Sequence, residues 1–368
     1  MNISKARRLV IKIGTSILIE NDNELRKSWL AAIAEDISAI VNRGAEVIVV
    51  SSGAVGLGRK ILGVPAGSLK LEEKQAAAAC GQSLLMQAWR ESLFKHGIKT
   101  AQILLTIDDS ENRRRYLNAR GTLQTLLESG IVPIINENDT VATAELRFGD
   151  NDRLAARVAQ MVGADYLVLF SDIDGLYTSN PHKNKAAAFV DRVDRITPDI
   201  EAMAGAAISD SGSGGMITKI EAGKIALAAG CNMVIAAGKK PHALKILGDT
   251  GRGTWFIAAS TPVNARKNWI IGSIAPTGSI IVDDGAAEAL LKKKSLLPAG
   301  IKAIEGRFEC GDTVIIKNLR KKELGRGITS YSSDDTLLIL GRKSSEIEKI
   351  LGFKGRGVLV HKDDLVLN

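Results

Sequence analysis

Aromatic residues are scarce in this chain, and long apolar runs are missing. Aromatics make up 4% of the 368 residues, whereas hydrophobic residues together make up 45%. We therefore expect an aliphatic core with close packing of helices against a sheet. No run approaches the ~20 apolar residues that a membrane-spanning helix needs. The sequence predicts a cytoplasmic protein that makes no use of a membrane.

Cysteines are also few. Cys80, Cys231 and Cys310 are odd in number, scattered, and never form a Cys-x-x-Cys pair. This argues against a disulfide framework or a zinc site and is typical of a reducing compartment. The basic and then apolar stretch 1–14 superficially resembles a signal peptide, but its apolar part is short and Lys12 interrupts it. We expect a first strand there instead.

Histidine contributes only four residues, all outside the motifs described below, and no Ser/His/Asp or Cys/His arrangement is present. A reaction that needs a strong general base is therefore disfavoured. A carboxylate acceptor is already ionised at neutral pH and needs no base. The missing base thus favours transfer to a group of that kind.

A concentrated basic surface is missing too, although the net charge is +8. Residues 276–368 hold 16 Lys and Arg against 13 Asp and Glu, and the rest of the chain holds 33 against 28. Nucleic-acid binding usually requires a clustered excess of positive charge. A mildly basic enzyme with anionic substrates is the favoured interpretation.

Short β-branched segments alternate with segments of helical periodicity over the first 260 residues. The strand candidates are residues 8–13, 45–50, 101–106, 131–135, 166–171 and 233–236. The helix candidates are residues 28–42, 72–96, 113–129, 152–163 and 217–229. This alternation predicts an α/β fold with an open, mostly parallel sheet sandwiched by helices. Ligands of such sheets bind beyond the carboxyl ends of the strands.

The pattern changes after residue 260. We predict a first domain over 1–260, a linker over 261–275, and a small, largely β domain that closes into a barrel over 276–368. A helical patch at 286–294 precedes the β segments of that domain. The apolar segment TLLILG (336–341) is included among those β segments.

Two lysines stand beside glycines where apolar strands are expected to end. Lys12 interrupts the apolar segment VIKIGTS (10–16), and Lys219 closes GSGGMITK (212–219). Burying a lysine is costly unless its charge meets an anion, so we favour a phosphate-binding role for Lys12 over a lysine at a solvated sheet edge. The glycine segment alone could be a structural turn. It precedes a helical pattern, however, and would then aim the Gly214 and Gly215 amides at an anion.

Other polar segments lie at predicted strand ends. SSGAVGLG (51–58) suits a carboxylate or phosphate, but Ser51 or Ser52 could equally cap the next helix. Asp174-Gly175 and Asn180-Pro181, within SDIDGLYTSNP (171–181), could be simple turn chemistry.

Five carboxylates crowd two adjacent loops. They are Glu137, Asp139, Glu145, Asp150 and Asp152. Such crowding is unfavourable unless it meets ammonium groups or a metal. The sequence therefore predicts a positively charged substrate, or lysines that reach over these loops, or both. The Asn151/Asp152 pair could also cap the following helix.

Taken together and in this order, VIKIGTS, SSGAVGLG, INENDTV, FGDND, DGLYTSNP and GSGGMITK resemble the amino-acid kinase family over about residues 7–260. NENDTVA and GDND point to members that phosphorylate the side-chain carboxylate of L-glutamate. SLLPAGI, EGRFECGD and GRGITSYSSDD resemble a PUA domain. The resemblance implies ATP and Mg²⁺ as cofactors, L-glutamyl 5-phosphate as product, a place at the first step of proline biosynthesis, and feedback inhibition by proline.

The resemblance also implies individual roles. The residues implied in catalysis are Lys12, Lys219 and Asp152. Those implied in glutamate binding are Ser52, Gly53, Asp139, Asp150 and Asn151. Those implied in ATP binding are Lys12, Ser171, Asp172, Ser213, Gly214, Gly215, Met216, Ile217, Thr218 and Lys219. No protein ligand is assigned to Mg²⁺, which would be bound mainly through the ATP phosphates.

The sequence also suggests binding partners and alternative functions. The resemblance implies a homo-oligomer, dimer or tetramer, and a transient hand-off of product to glutamyl phosphate reductase. Kinases of the same fold that act on N-acetylglutamate, aspartate or UMP are rivals. The acid-rich loops argue for an acceptor with a free ammonium, which N-acetylglutamate and UMP lack. An RNA-binding role of residues 276–368 is the alternative from a different class, although we expect this domain to be mainly structural or regulatory.

Overall fold

The computed structural model describes residues 3–20, 22–64, 67, 69–141, 151–181, 183–205, 215–265 and 276–367. By its internal contacts the chain divides into two compact units, Met1–Pro262 and Val263–Asn368. Residues 266–275 of the predicted linker lie outside the described part, and the predicted domain boundaries stay predictions.

The first unit alternates strands and helices. Its strands are β1 (Arg8–Ile13), β2 (Glu46–Ser51), β3 (Lys99–Leu105), β4 (Ile131–Glu137), β5 (Tyr166–Ser171), β6 (Leu176–Tyr177), β7 (Phe189–Val190), β8 (Arg192–Val193), β9 (Asn232–Ala237) and β10 (Thr254–Phe256). Its helices are α1 (Thr15–Leu18), α2 (Lys27–Val41), α3 (Ala54–Leu62), α4 (Leu71–Phe94), α5 (Ile107–Glu111), α6 (Arg113–Glu128), α7 (Asn151–Val162), α8 (Pro198–Gly205), α9 (Met216–Ala228) and α10 (Ala243–Thr250).

Eight strands form the main sheet, in the order β3-β4-β2-β1-β5-β9-β10-β8. Every neighbouring pair is parallel except β9 with β10. β1, β2 and β5 are buried along almost their whole length, because apolar clusters cover both faces of the sheet. The chain places β2 on one side of β1 and β5 on the other. The order of the strands therefore reverses at β1, where α/β sheets form their ligand crevice.

The second unit is built on a five-stranded sheet with its own apolar core. Its strands are β11 (Gly278–Val282), β12 (Ile301–Gly306), β13 (Thr313–Lys317), β14 (Glu323–Thr329) and β15 (Val360–Leu367). Its helices are α11 (Asp284–Leu291), α12 (Ser333–Ile339) and α13 (Ile347–Leu351). The sheet order is β12-β11-β13-β14-β15, antiparallel except for the parallel pair β11 and β13.

The predicted fold class is confirmed, with one local error. TLLILG was expected to be a β segment, yet most of it lies in α12. The physical reason is the residue before the helix: the Ser332 hydroxyl caps it by accepting a hydrogen bond from the Asp335 amide at 3.1 Å. A capped turn with two acidic residues favours helix at this point, and the leucines add to it because leucine is a strong helix former, so the β preference of Ile339 is outweighed.

No helix of the described chain combines the length and the apolarity that crossing a membrane would demand.

Candidate active site

Lys12 lies near the carboxyl end of β1, the strand at which the sheet order reverses. It aligns with Val50 on one neighbouring strand and with Leu169 on the other. The surrounding apolar residues leave Lys12 only 7% exposed. The position is therefore central and not at an edge, which removes the alternative of a lysine at a solvated sheet edge.

Asp152 and Lys219 complete a buried charged cluster with Lys12. Asp152 is in the first turn of α7, and Lys219 is in the first turn of α9. The Lys12 Nζ lies 2.6 Å from Asp152 Oδ1, and the Lys219 Nζ lies 3.0 Å from Asp152 Oδ2. One carboxylate thus holds two ammonium groups that are 207 positions apart in the sequence. The Thr218 hydroxyl approaches the same Oδ2 at 3.0 Å.

The two ammonium groups control the protonation state of Asp152. Burial would raise the pKa of Asp152, but the two ammonium groups outweigh burial and hold that pKa well below its usual range. Asp152 is therefore ionised throughout the physiological range and forms an ion pair with each lysine. The N-termini of α7 and α9 add partial positive charge at the same place. A site of this kind attracts an anion and can neutralise charge that develops on it.

A second polar cluster adjoins the first along the chain, because Asn151 precedes Asp152. The Asn151 Nδ2 donates to Ser52 Oγ at 2.7 Å and to Asn136 Oδ1 at 2.9 Å. The Asn151 Oδ1 is buried, and among the described residues it finds no hydrogen-bond partner. A buried acceptor of this kind is costly to leave unsatisfied. It fits a ligand that brings an N–H donor.

The loop after β2 is shaped by a glycine and not by serine capping. Gly53 stands at the N-cap of α3 with φ of 115°, and no side chain caps this helix. The capping alternative for Ser51 and Ser52 is therefore wrong. Ser51 instead accepts a hydrogen bond from the Trp89 indole at 2.9 Å, and Ser52 bonds to Asn151.

The acid-rich loops are described only in part. Asp139 is half-buried, and burial raises its pKa to about 6. Glu137 at the end of β4 is buried. Asp150 and Glu145, predicted to belong to this group, lie outside the described residues. Within the described chain, no three His, Cys, Asp or Glu side chains are grouped to hold a metal ion.

The residues predicted to bind the nucleotide are also described in part. Ser171 ends β5, and its hydroxyl donates to the exposed Asp172 at 3.1 Å. Gly215 is the N-cap of α9, which begins with Met216, Ile217 and Thr218. Ser213 and Gly214 lie outside the described residues. The N-terminal amides of α9 therefore follow directly on the predicted glycine segment. The N-terminus of a helix is a place where anions bind.

The turn interpretation holds for Asn180-Pro181 at the end of SDIDGLYTSNP, whereas the Asp174 side chain makes contacts across the fold. The Asp174 carboxylate forms an ion pair with Arg252 at 2.8 Å and accepts from the Tyr177 hydroxyl at 2.9 Å. The Asn180 carbonyl accepts from the amides of Lys183 and Asn184, closing a turn. These contacts stabilise the edge of the sheet.

Two residues of the second polar cluster were missed by sequence reasoning. Asn136 lies inside the quoted motif INENDTV but was not singled out, and Gln82 lies in a helix candidate. The Asn136 Nδ2 donates to Gln82 Oε1 at 2.8 Å. Helical periodicity marks Gln82 as an ordinary surface position, and a contact across 54 positions leaves no local signal.

Comparison with known proteins identifies the family of each part of the chain. Residues 7–237 match the amino acid kinase family, and residues 278–351 match the PUA domain. The glutamate 5-kinase of Paramagnetospirillum magneticum is 59% identical over 367 residues, covering 99% of this chain and 99% of that protein. The glutamate 5-kinase of Agrobacterium fabrum is 56% identical over 365 residues, covering 99% and 94%.

The family model spans more than half of the chain, and the chain therefore belongs to the amino acid kinase family. Its full-length relatives place it among the glutamate 5-kinases of that family, so it is an enzyme, a phosphotransferase with a carboxyl group as acceptor. The resemblance drawn from the motifs is confirmed. The roles of individual residues stay predictions.

Proposed function

We propose that the protein transfers the γ-phosphoryl group of ATP to the side-chain carboxylate of L-glutamate and so makes L-glutamyl 5-phosphate for proline biosynthesis. One observation carries the proposal: Lys12 and Lys219 meet on one buried carboxylate, beside an unsatisfied buried amide oxygen of Asn151. The first feature fits a migrating phosphoryl group. The second fits an acceptor that carries an ammonium.

The reaction is a single displacement. A carboxylate oxygen of glutamate forms a bond to the γ-phosphorus, and the bond from that phosphorus to the bridging oxygen breaks. ADP leaves with the electron pair of the broken bond, and no proton has to move. Positioning and charge neutralisation then supply most of the catalysis.

The two lysines supply the charge neutralisation. Negative charge spreads over the oxygens of the transferring group, and Lys12 and Lys219 contact it from the ends of β1 and α9. Asp152 orients both ammonium groups and reduces the repulsion between them. Because all three side chains are buried, their electrostatic effect is stronger than it would be in water.

Glutamate is held on the other side of the cluster. Ser52 and the Gly53 amide lie at the end of β2, where a carboxylate can bind. Asp139 provides a negative charge for the α-ammonium, and Asn151 provides its free Oδ1. Asp150 is assigned to the same group by the resemblance.

ATP and Mg²⁺ complete the site. Ser171 and Asp172 lie at the end of β5, and the segment from Ser213 to Lys219 leads into α9, whose amide end suits the phosphates. We assign Mg²⁺ to the ATP phosphates. When bound, it would neutralise part of their charge.

Regulation and assembly are further parts of the proposal. Inhibition by proline, a dimeric or tetrameric state, and hand-off of the product to glutamyl phosphate reductase rest on the resemblance. Location in the cytoplasm rests on the scattered cysteines and the missing apolar runs of the sequence. RNA binding by residues 276–368 is the second candidate function, and we rank it lower because the excess positive charge there is small and diffuse.

Trapping with hydroxylamine tests the proposed reaction. An acyl phosphate reacts with hydroxylamine to give a hydroxamate, which forms a coloured complex with ferric iron, so the protein, Mg-ATP and L-glutamate should yield one hydroxamate per ADP. N-acetylglutamate, aspartate and UMP, with ADP release as the common readout, form the acceptor panel. We expect glutamate to exceed N-acetylglutamate and UMP by at least about 100-fold in kcat/KM, because both lack the ammonium and would leave its buried partners unpaired. Aspartate keeps the ammonium but lacks one methylene, so we expect glutamate to exceed it by about 10-fold or more. ADP release with another acceptor and none with glutamate would refute the proposal.

A further inference from the structure

Three amides form a hydrogen-bonded chain that begins outside the proposed substrate site and ends in it. Gln82 is half-buried in α4, Asn136 is 3% exposed at the end of β4, and Asn151 is 4% exposed at the start of α7. The links are Asn136 Nδ2 to Gln82 Oε1 at 2.8 Å and Asn151 Nδ2 to Asn136 Oδ1 at 2.9 Å. The chain therefore connects a helix that the proposed mechanism does not use to a substrate-binding residue.

The direction of this chain follows from the chemistry of amides. A side-chain amide has a donating end and an accepting end. Because Gln82 presents its oxygen, Asn136 turns its NH₂ towards Gln82 and its oxygen towards Asn151. Asn151 in turn donates both N–H groups, one to Asn136 and one to Ser52. Its oxygen is left free, buried and unsatisfied among the described residues.

If the amides of Asn136 and Asn151 were reversed, the site would lose the acceptor that a cation needs. If Asn136 turned over, its NH₂ would face the NH₂ of Asn151, and one of the two would lose its partner. Asn151 would relieve this by turning over as well, which would present a donor to the substrate instead of an acceptor. A donor cannot bind an ammonium group.

The backbone of α4 around Gln82 packs closely against α3 and the end of β2. A Cβ at the neighbouring Gly81 would lie 1.8 Å from the Ala54 carbonyl oxygen, so α4 and α3 touch through their backbones. Seven positions further along α4, the Trp89 indole bonds to Ser51 at the end of β2. The part of α4 that carries Gln82 is therefore held against α3 and the end of β2.

We propose that Gln82 is a positioning residue, which sets the orientation of the Asn136 and Asn151 amides and so keeps Asn151 Oδ1 available for the ammonium of the substrate. The inference rests on the proposed function, since it takes glutamate as the acceptor. Gln82 acts through Asn136 and is not itself assigned a contact with substrate.

Gln82→Met and Gln82→Glu separate this role from a structural one. Methionine keeps the length of the side chain but offers no strong acceptor, whereas a carboxylate offers only acceptors. For Gln82→Met we expect KM for glutamate to rise about tenfold, as for a lost hydrogen bond in a buried site. KM for ATP should stay within about twofold of the wild type. Gln82→Glu should keep both constants near the wild-type values.

Gln87→Met is the matched control. Gln87 lies on the exposed side of the same helix and bonds to Glu91 at 2.7 Å, so its replacement should change neither KM. If Gln82→Met does not fold, Gln82→Lys serves instead, because an ammonium only donates and should force the amides to turn over. That variant should show the same selective rise in KM for glutamate.

The outcomes keep the two proposals apart. If the wild type forms no hydroxamate with glutamate, the proposed function and this inference both fail. If the wild type forms it, but the variants leave KM for glutamate unchanged or raise KM for ATP equally, only the positioning role of Gln82 fails. A Gln82→Glu variant as impaired as Gln82→Met would also overturn it.

Discussion

At the scale of single residues, Asp152 is the member of the site whose removal should matter most for the folded state. It is 2% exposed and forms ion pairs with two buried ammonium groups. Taking one partner out of a buried ion pair typically costs ~3–5 kcal/mol, because the remaining charge is left without compensation. Either lysine can be removed with less harm, since Asp152 keeps the other.

Asp139 should make glutamate binding depend on pH. Burial raises its pKa to about 6, so it is ionised above that pH and protonated below it. Only the ionised form attracts the substrate ammonium. We expect KM for glutamate to rise as the pH falls through this value, on the order of tenfold per pH unit once below it.

Initial rates measured between pH 5 and pH 8 check this prediction. Both carboxyl groups of glutamate stay largely ionised over that range, with a side-chain pKa of about 4.3, and KM for ATP is the internal control. Asp139→Asn should show a high KM that no longer varies with pH. A wild-type KM for glutamate that is flat down to pH 5 would contradict the role given to Asp139.

At the scale of elements, α3 and α4 pack through glycines, and this contact fixes the substrate loop. Gly58 of α3 lies against α4, and a Cβ there would be 1.7 Å from the Ala77 carbonyl oxygen. Backbone atoms cannot move aside as side chains do, so an added methyl group must push the helices apart. The loop with Ser52 and Gly53 leads directly into α3 and would move with it.

Gly58→Ala should therefore destabilise the protein although alanine favours helix. We expect a loss of about 1–3 kcal/mol in the free energy of unfolding, as for an overpacked core, together with a higher KM for glutamate. Gly248→Ala in α10 is the matched control, because no atom lies within 4 Å of its added Cβ. It should raise stability by roughly 0.5–1 kcal/mol. Thermal unfolding of both variants decides, and a Gly58→Ala protein as stable as the wild type would exclude the close contact.

The long elements could be predicted from the sequence, whereas the short ones could not. The helices α2, α4, α6, α7 and α9 begin and end within two residues of their predicted bounds, because each carries several turns of apolar periodicity. The two-residue strands β6, β7 and β8 were missed. A strand of that length has no period to detect, and only its partners across the sheet define it.

At the scale of the whole molecule, the fold brings together groups that the sequence keeps far apart. Lys12 is on the strand where the sheet order reverses, and Lys219 lies in the first turn of α9, which packs beside α7. The motifs indicated each lysine separately, because a glycine turn at the end of a strand can be recognised from a short segment of sequence. Their shared carboxylate, and the amide chain from Gln82 to Asn151, depend on tertiary packing and could not be read from spacing.

The convergence of Lys12 and Lys219 on one phosphoryl group is the central claim, and kcat of Lys12→Met and Lys219→Met tests it most directly. Asp152 stays paired in each single variant, so both proteins should fold, which thermal unfolding checks. Lys224→Met is the control, because Lys224 lies on the surface of the same helix α9 and pairs with Glu201 at 2.7 Å. We predict a kcat lower by about 100-fold or more in each site variant and an unchanged kcat in the control. A folded Lys12→Met or Lys219→Met protein with kcat within about threefold of the wild type, well short of the usual loss for such a group, would contradict the account.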